Sequence, residues 1–309
     1  MAAAVETMVL PPAEPDQLYV EVSPMAGGFI TLADHFFVHP AEEGAKRTVP
    51  SLAFLITHPG LRATGAPARP FRVMFDLGLR RAKERYPEVL QKHIDGRAPY
   101  ELAPGVAAQL AAGGLDPADV DMVMLSHVHY DHHGDPEDFP NAHFTVGYGA
   151  LAVLKHGLGG IASHQHFVPD TLPEDRTAEL PDPQHSSWQP LGPFPRSTDL
   201  FGDGSVYVID TPGHLPGHVN LLCRTKARWI MLCGDAFHDR RLLTGEKDIG
   251  TWEGPHGTLC IHLDKEVAAE SIRRLQEFQR LGGKEVELIA AHEELWWERN
   301  KHKAFPGTL

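Results

Sequence analysis

The chain of 309 residues is poor in cysteine, and its cysteines are odd in number: Cys223, Cys233 and Cys260. Three scattered thiols make no disulfide framework, no CxxC redox pair and no zinc knuckle. They read as buried thiols of a reducing compartment, and a cytoplasmic location is expected. Long apolar runs are missing as well. No stretch approaches the roughly 20 residues that cross a bilayer, so no membrane segment is expected. Positive charge is scarce: 28 lysines and arginines stand against 41 aspartates and glutamates, a net charge of −13. Without a basic block the surface lacks the footprint of a nucleic-acid binder. No GxSxG elbow is present, which removes the commonest serine-hydrolase signature. The opening "MAAAVETMVLPPAEPDQ" lacks a basic region followed by an apolar one. It reads as a loose tail over residues 1–18 rather than a signal peptide.

Histidine is abundant, with 20 in the chain. Four of them and two aspartates crowd into "SHVHYDHHGD" at 126–135, directly after the apolar strand-like run "DVDMVML". Residues two apart on a strand face the same side, so His127 and His129 are expected to point at one ion. Asp131 and His132 lie where the chain turns and can reach a second. Imidazole and carboxylate together suit zinc, and less specifically iron or manganese. Four ligands do not complete two sites. His214 in "IDTPGHLPGH", Asp235 in "MLCGDAFHD" and His292 in "LIAAHEE" each follow an apolar run that would anchor them rigidly. A histidine-rich surface loop is the alternative. It accounts for His133, His143, His164, His166 and His185, but not for His127, His214 and His292 each closing an apolar run.

Around these residues the pattern is strands, helix, strands, helix. "PSLAFLITH" at 50–58 and "FRVMFDLGL" at 71–79 read as an antiparallel pair joined by "PGLRATGAPARP". "APGVAAQLAAGGL" reads as a short helix stopped by Gly113 and Gly114. "GSVYVID", "RWIMLCGD" and "EVELIAA" read as further strands. Residues 264–281 place Val267, Ser271, Ile272, Leu275 and Phe278 on one helical face, with Asp264 as N-cap and Gly282-Gly283 as stop. Residues 155–195, rich in Pro, Gly, His and Asp, read as one long loop bordering the site. Two sheets with helices outside them, an α/β fold of four layers, fit this order better than strict βαβ alternation.

"SHVHYDH" resembles the HxHxDH signature of the metallo-β-lactamase superfamily, and His214, Asp235 and His292 follow in that family's order. The resemblance runs from about Val49 to His292 and is closest to the N-acyl homoserine lactonase branch. "VPSLAFLITHPG…FRVMFDLGL" is similar to that branch's opening strand pair, and "LFGDGSVYVIDTPGHLPGHVNLL" to its central stretch. The resemblance implies an αββα sandwich, one domain over 1–309, with a dinuclear metal site at one edge of the two sheets. His127, His129 and His214 would hold one metal, Asp131, His132 and His292 the other, and Asp235 would bridge them. The implied cofactors are two zinc ions, with iron, manganese or cobalt as alternatives, and Asp76 would orient the metal-binding loop.

The implied reaction is lactone opening by a metal-bridging hydroxide, of the quorum-quenching kind, with Asp131 as proton shuttle. A thioesterase, glyoxalase II-like or polyketide-releasing, is the alternative, and an iron-dependent redox member a further one. The partner is then a small lactone or thioester; the oligomeric state is left open. Two positions depart from the branch. His238 stands where it has a carbonyl-binding tyrosine, and its imidazole can donate the same hydrogen bond, so His238 joins Asp131 as a catalytic candidate. Glu293 stands where aspartate usually follows the last metal histidine. His218 reads as a hydrogen-bond partner, Gly213 and Gly217 as tight-turn residues, and Tyr130 as packing. Trp252, Trp296, Trp297, Phe36 and Phe37 are candidate pocket walls.

Overall fold

The computed structural model describes residues 10–60, 69–160 and 162–309. The readings of 1–9 as tail and of 61–68 as linker lie outside these residues. In chain order, β1 (Glu21–Ala33), β2 (Val38–His39), β3 (Lys46–His58) and β4 (Phe71–Phe75) come first. They are followed by α1 (Glu88–Asp95), α2 (Val106–Ala112), β5 (Met122–Met124), β6 (His143–Val146) and α3 (Ala150–His156). Next come β7 (Thr177–Glu179), β8 (Gln189–Leu191), β9 (Phe194–Asp199), β10 (Val206–Asp210), β11 (Val219–Arg224) and β12 (Trp229–Leu232). The remainder is α4 (Arg240–Thr244), β13 (Asp248–Ile249), β14 (Thr251–Gly254), β15 (Gly257–Cys260), α5 (Lys265–Gly282), β16 (Val286–Ile289) and α6 (Glu294–Asn300).

Two six-stranded sheets result, ordered β1-β3-β4-β5-β6-β7 and β16-β12-β11-β10-β9-β8. The expected antiparallel pairing of β3 with β4 is present, with Phe54 opposite Phe75. Strands β4 to β7 then run parallel to one another, as does β16 beside β12. Successive side chains of a strand face opposite ways, so each strand serves two cores. Phe54, Phe75, Met124, Val208, Leu221 and Ile230 fill the space between the sheets. Leu55, Met74 and Val123 face outward under Val106 and Leu110 of α2 and Val153 of α3. Ile209, Leu222 and Met231 face outward under Leu275 and Phe278 of α5. Helix, sheet, sheet, helix is therefore the layering, as expected.

Helix α5 begins where Asp264 accepts a hydrogen bond from the Val267 N–H at 3.0 Å and ends at Gly282. Its buried face is Ala268, Ser271, Ile272, Leu275 and Phe278; Val267, placed on that face from the sequence, is exposed. Val267 lies at the margin of that face, and Ala268 beside it in the same turn is the residue that is buried. Strand β1, the longest with β3 at 13 residues, went unread because Pro24 and the Gly27-Gly28 pair interrupt its pattern. The pair forms a register shift between Ala26 and Phe29. Residues 155–195 are not one loop: β7 extends the edge of the first sheet, and β8 and the first two residues of β9 lie in the second. Residues 10–18 are not loose, for Arg224 donates to the Pro11 carbonyl at 2.7 Å and Gln17 to the Asp203 carbonyl at 3.0 Å.

Candidate metal centre

Strand β5 stops at Met124, so His127 and His129 stand in the loop beyond it, not on a strand as the alternation suggested. Local bonding rather than pleat brings them together. Asp76, just past β4, accepts from the Ser126 N–H and the Ser126 hydroxyl, both at 2.7 Å, and from His132 Nδ1–H at 2.9 Å. Asp76 adopts φ +59°, a left-handed conformation that aspartate tolerates better than most side chains. It thus orients the loop as expected. His214, Asp235 and His292 follow β10, β12 and β16 by three or four residues, which gathers all seven residues at one edge of the sheets. Gly213 has φ +121°, and a Cβ there would lie 2.2 Å from the Ala268 nitrogen of α5. Gly217 meets Gly147, a Cβ on it lying 2.7 Å from the Gly147 carbonyl oxygen. Both are packing as well as turn residues.

The seven expected donors form two groups, and His214 also converges with His238 and His262 in a third. His127 Nε2, His129 Nδ1 and His214 Nε2 make a triangle with edges of 2.8, 3.1 and 3.2 Å. Donors on a tetrahedral zinc, about 2.0–2.1 Å from it, lie roughly 3.3–3.4 Å apart, so the triangle is nearly ready-made. Asp131, His132 and His292 form the second group, with His292 Nε2 3.6 Å and His132 Nε2 4.0 Å from the Asp131 carboxylate. Asp235 lies between them: Oδ2 is 3.7 Å from His127 Nε2, 3.4 Å from His214 Nε2 and 3.3 Å from His132 Nε2, and Oδ1 is 3.3 Å from His292 Nε2. His132 Nε2 and Asp235 Oδ1 are buried without a hydrogen-bond partner among the described residues. Buried polar atoms are rarely left so, and converging lone pairs of this kind fit divalent cations.

The opposite nitrogens are held. His292 Nδ1–H donates to the Pro50 carbonyl at 2.8 Å, and His127 Nδ1 meets the Ser126 hydroxyl at 3.0 Å. Such bonds fix the tautomer that leaves the facing nitrogen free to ligate. Burial and the neighbouring imidazoles hold His127, His129 and His214 well below the usual imidazole range, in the neutral form a cation needs. Burial also opposes charge on Asp235, yet His132, His238 and His292 around it hold its carboxyl well below the usual range. His218, read as a supporting residue, accepts from the Asp235 N–H at 3.0 Å. Glu293 pairs with Arg240 through two contacts of 2.6 Å and accepts from the Ala290 N–H, fixing the turn before His292.

His238 is buried beside the cluster, but its Nε2–H donates to Asp235 Oδ2 at 3.0 Å, and its ring stacks 5.9 Å from that of His292. The donor proposed for a carbonyl is engaged with Asp235 here. His262, absent from the sequence reading, is 1% exposed and meets His214 Nδ1 at 3.3 Å. It follows β15 in an ordinary-looking "CIHLD", with no spacing signal to mark it. His164 and His133, assigned above to a surface loop, are buried. His164 stacks 5.5 Å from Tyr130 and lies edge-on 5.0 Å from His129.

A cavity of about 230 Å³ opens over the donors, with His129, Asp131, His214, Asp235, His238 and His292 in its lining. Phe36, Phe37 and Trp252 form an apolar wall, Phe36 meeting Trp252 edge-on at 4.7 Å. Trp296 and Trp297 do not reach it; they pack on the core between the sheets. Residues 163–167 of the supposed loop do border it, through Ser163 and His164 in the lining and Phe167 stacked 5.8 Å from His129. Tyr130, read as packing, also lines it. Cys233 does not approach the donors; its thiol points to the Met231 carbonyl at 3.5 Å.

The profile of the metallo-beta-lactamase superfamily matches residues 72–279, and the chain belongs to that superfamily, a family of metal-dependent hydrolases. Gamma-lactamase FDB1 of Fusarium pseudograminearum is 31% identical over 65% of this chain and 49% of its own length. N-acyl homoserine lactonase AttM of Rhizobium radiobacter is 32% identical over 59% of this chain and 62% of its own. The chain thus spans about half to two thirds of these relatives. The crystal structure of a quorum-quenching N-acyl homoserine lactone lactonase superposes with a TM-score of 0.65 at 17% identity, covering 95% of this chain and 100% of that one. At that identity the likeness is one of fold. Among the described residues no helix is long and apolar enough to cross a membrane.

Proposed function

We propose that this chain is a metal-dependent hydrolase that opens the ring of a lactone. The observation carrying this reading is Asp235, one carboxylate with donor nitrogens of both histidine groups 3.3–3.7 Å away, at a cavity. His127, His129 and His214 would hold one ion, Asp131, His132 and His292 the other, with Asp235 shared. Zinc suits this donor set, and iron, manganese or cobalt are alternatives. Two such ions supply an activated water and a Lewis acid for the scissile carbonyl. Asp131, in the cavity lining, receives the proton released on attack and delivers it to the departing oxygen. An alkoxide is a poor leaving group and needs that proton; a thiolate does not. Phe36, Phe37 and Trp252 seat the apolar part of the substrate and limit water.

The lactonase named among the relatives supports this substrate class. The gamma-lactamase named beside it favours a second reading, a cyclic amide, whose amine leaving group needs the same proton from Asp131. The test is hydrolysis by the zinc-, manganese- and iron-loaded enzyme across acyl homoserine lactones and simpler γ-lactones, γ-lactams, and S-acyl thioesters. Lactone turnover, with product heavier by one water, is expected. Turnover of thioesters alone would overturn the reading and favour the thioesterase.

A further inference from the structure

The cavity has a second, polar wall that ring opening does not use. It consists of His93, Arg97, Tyr130, Ser163 and His164, and it adjoins the apolar wall where Arg97 meets Phe36. Arg97 follows α1, and its backbone is anchored at both groups: its N–H donates to the Ile94 carbonyl at 2.8 Å, and its carbonyl accepts from Thr31 of β1 at 2.9 Å. Arg97 is half-buried, and its guanidinium carbon sits 6.0 Å from the centroid of the Phe36 ring. The other arginines near this end are locked to carboxylates: Arg47 to Asp34 at 2.8 Å, Arg80 to Glu137 at 2.9 Å, Arg240 to Glu293 at 2.6 Å and Arg241 to Asp239 at 2.7 Å. Arg97 has no carboxylate within ion-pair distance among the described residues. A planar cation turned into a substrate cavity with no counter-ion of its own is matched to an oxyanion brought by the ligand. The aromatic wall beside it would carry the apolar body of that ligand.

We propose that Arg97 is the anchor of an oxyanion subsite, so that the preferred substrate carries a carboxylate or similar group on an apolar body, away from the ring that is opened. The neighbouring groups suit this. Burial first, then Arg97 itself, push His93 down to about 4, so at neutral pH it adds no charge and can hydrogen-bond the anion. Tyr130, whose hydroxyl bonds the Arg97 side chain, and Ser163 belong to the same wall. This inference rests on the reading of the cavity as the substrate site, and two measurements separate its failure from failure of the lactonase reading.

The first compares two lactones of equal chain length, N-hexanoyl homoserine lactone and its counterpart ending in a carboxylate, N-(5-carboxypentanoyl) homoserine lactone, with metal-loaded enzyme. The acidic lactone is expected to have at least tenfold higher kcat/KM, through KM. Arg97→Met should raise KM for the acidic lactone at least tenfold more than for the neutral one, Arg97→Lys less, and added salt should shrink the preference. The second needs no turnover: calorimetric binding of 2-naphthalenesulfonate, a weak metal ligand, against 2-naphthalenemethanol. The sulfonate should bind about tenfold tighter to the wild type and no tighter than the alcohol to Arg97→Met. Equal handling of the two lactones, or equal binding of the two naphthalenes by the wild type, overturns the subsite. Sulfonate preference without opening of any lactone overturns the lactonase reading and leaves the subsite standing.

Discussion

Five imidazoles surround the carboxylate of Asp235, at 3.0 to 3.7 Å: His127, His132, His214, His238 and His292. Removing it should therefore weaken both ion positions at once. Asp235→Ala, dialysed against a weak chelator, should retain fewer ions per chain than the wild type, which is expected to keep two. Elemental analysis decides this, and two ions retained by the variant would mean that Asp235 bridges nothing. His238 poses a separate question, because its Nε2–H is on Asp235 rather than free. Supporting bonds of this kind are worth about 10–100-fold in metal affinity. His238→Phe should accordingly lose ions to chelator about tenfold more readily. If retention is unchanged while kcat falls about 10²–10³-fold, as when a carbonyl donor is lost, His238 serves the substrate instead.

At the scale of elements, the stretch after α3 borders the cavity through Ser163, His164 and Phe167, then closes the first sheet as β7 and enters the second as β8. His164 and Phe167 touch His129 only through ring contacts, and neither belongs to a donor group. Replacing both by alanine should change KM and the order of substrate preference while metal content stays at the wild-type level. Parallel kinetics and elemental analysis test it; an unaltered substrate profile would make the segment a cover for the sheet edge only. Its strands β7 and β8 have no sequence periodicity to betray them. They are three residues each and half-exposed, so alternation has no room to appear.

Across the whole molecule, an ion network ties the first sheet to the start of α4. Arg47 of β3 pairs with Asp34 at 2.8 Å and Asp239 at 2.7 Å, and Arg241 of α4 reaches the same two carboxylates at 2.7 Å. Burial opposes ionisation of Asp34 and Asp239, but Arg241 and Arg47 prevail and hold both below the usual range. The resulting stability is present above the unfolded aspartate pKa of about 3.9 and is lost as pH falls through the lower folded values. The melting temperature of the wild type should drop between pH 5 and 3. Arg47→Met should drop less over that window, having lost the pairing already. At neutral pH it should be less stable by about 3 kcal/mol, the low end for a broken buried pair, because Arg47 is 21% exposed. Thermal melts at pH 5 and pH 3 and denaturant melts at neutral pH check the two statements, and parallel pH curves for the two proteins would refute the linkage.

Much of this protein was legible in the order of its residues. The crowding of His127, His129, Asp131 and His132 after one apolar run, with His214, Asp235 and His292 after three others, marked the donor set because metal chemistry restricts residue types and rigid strands must present them. The layering followed from the same runs, and α5 from its spacing and its Asp264 cap. Tertiary structure alone decided how His127 and His129 converge, since β5 is too short to carry them and Asp76 shapes the loop from a neighbouring strand. It alone brought His262 to His214, Arg97 to the cavity wall and His238 to Asp235, contacts between segments far apart in the chain or set by a turn. Sequence patterns report what a residue can do and which face it shares with near neighbours; which distant partner completes it depends on how the sheets and loops pack.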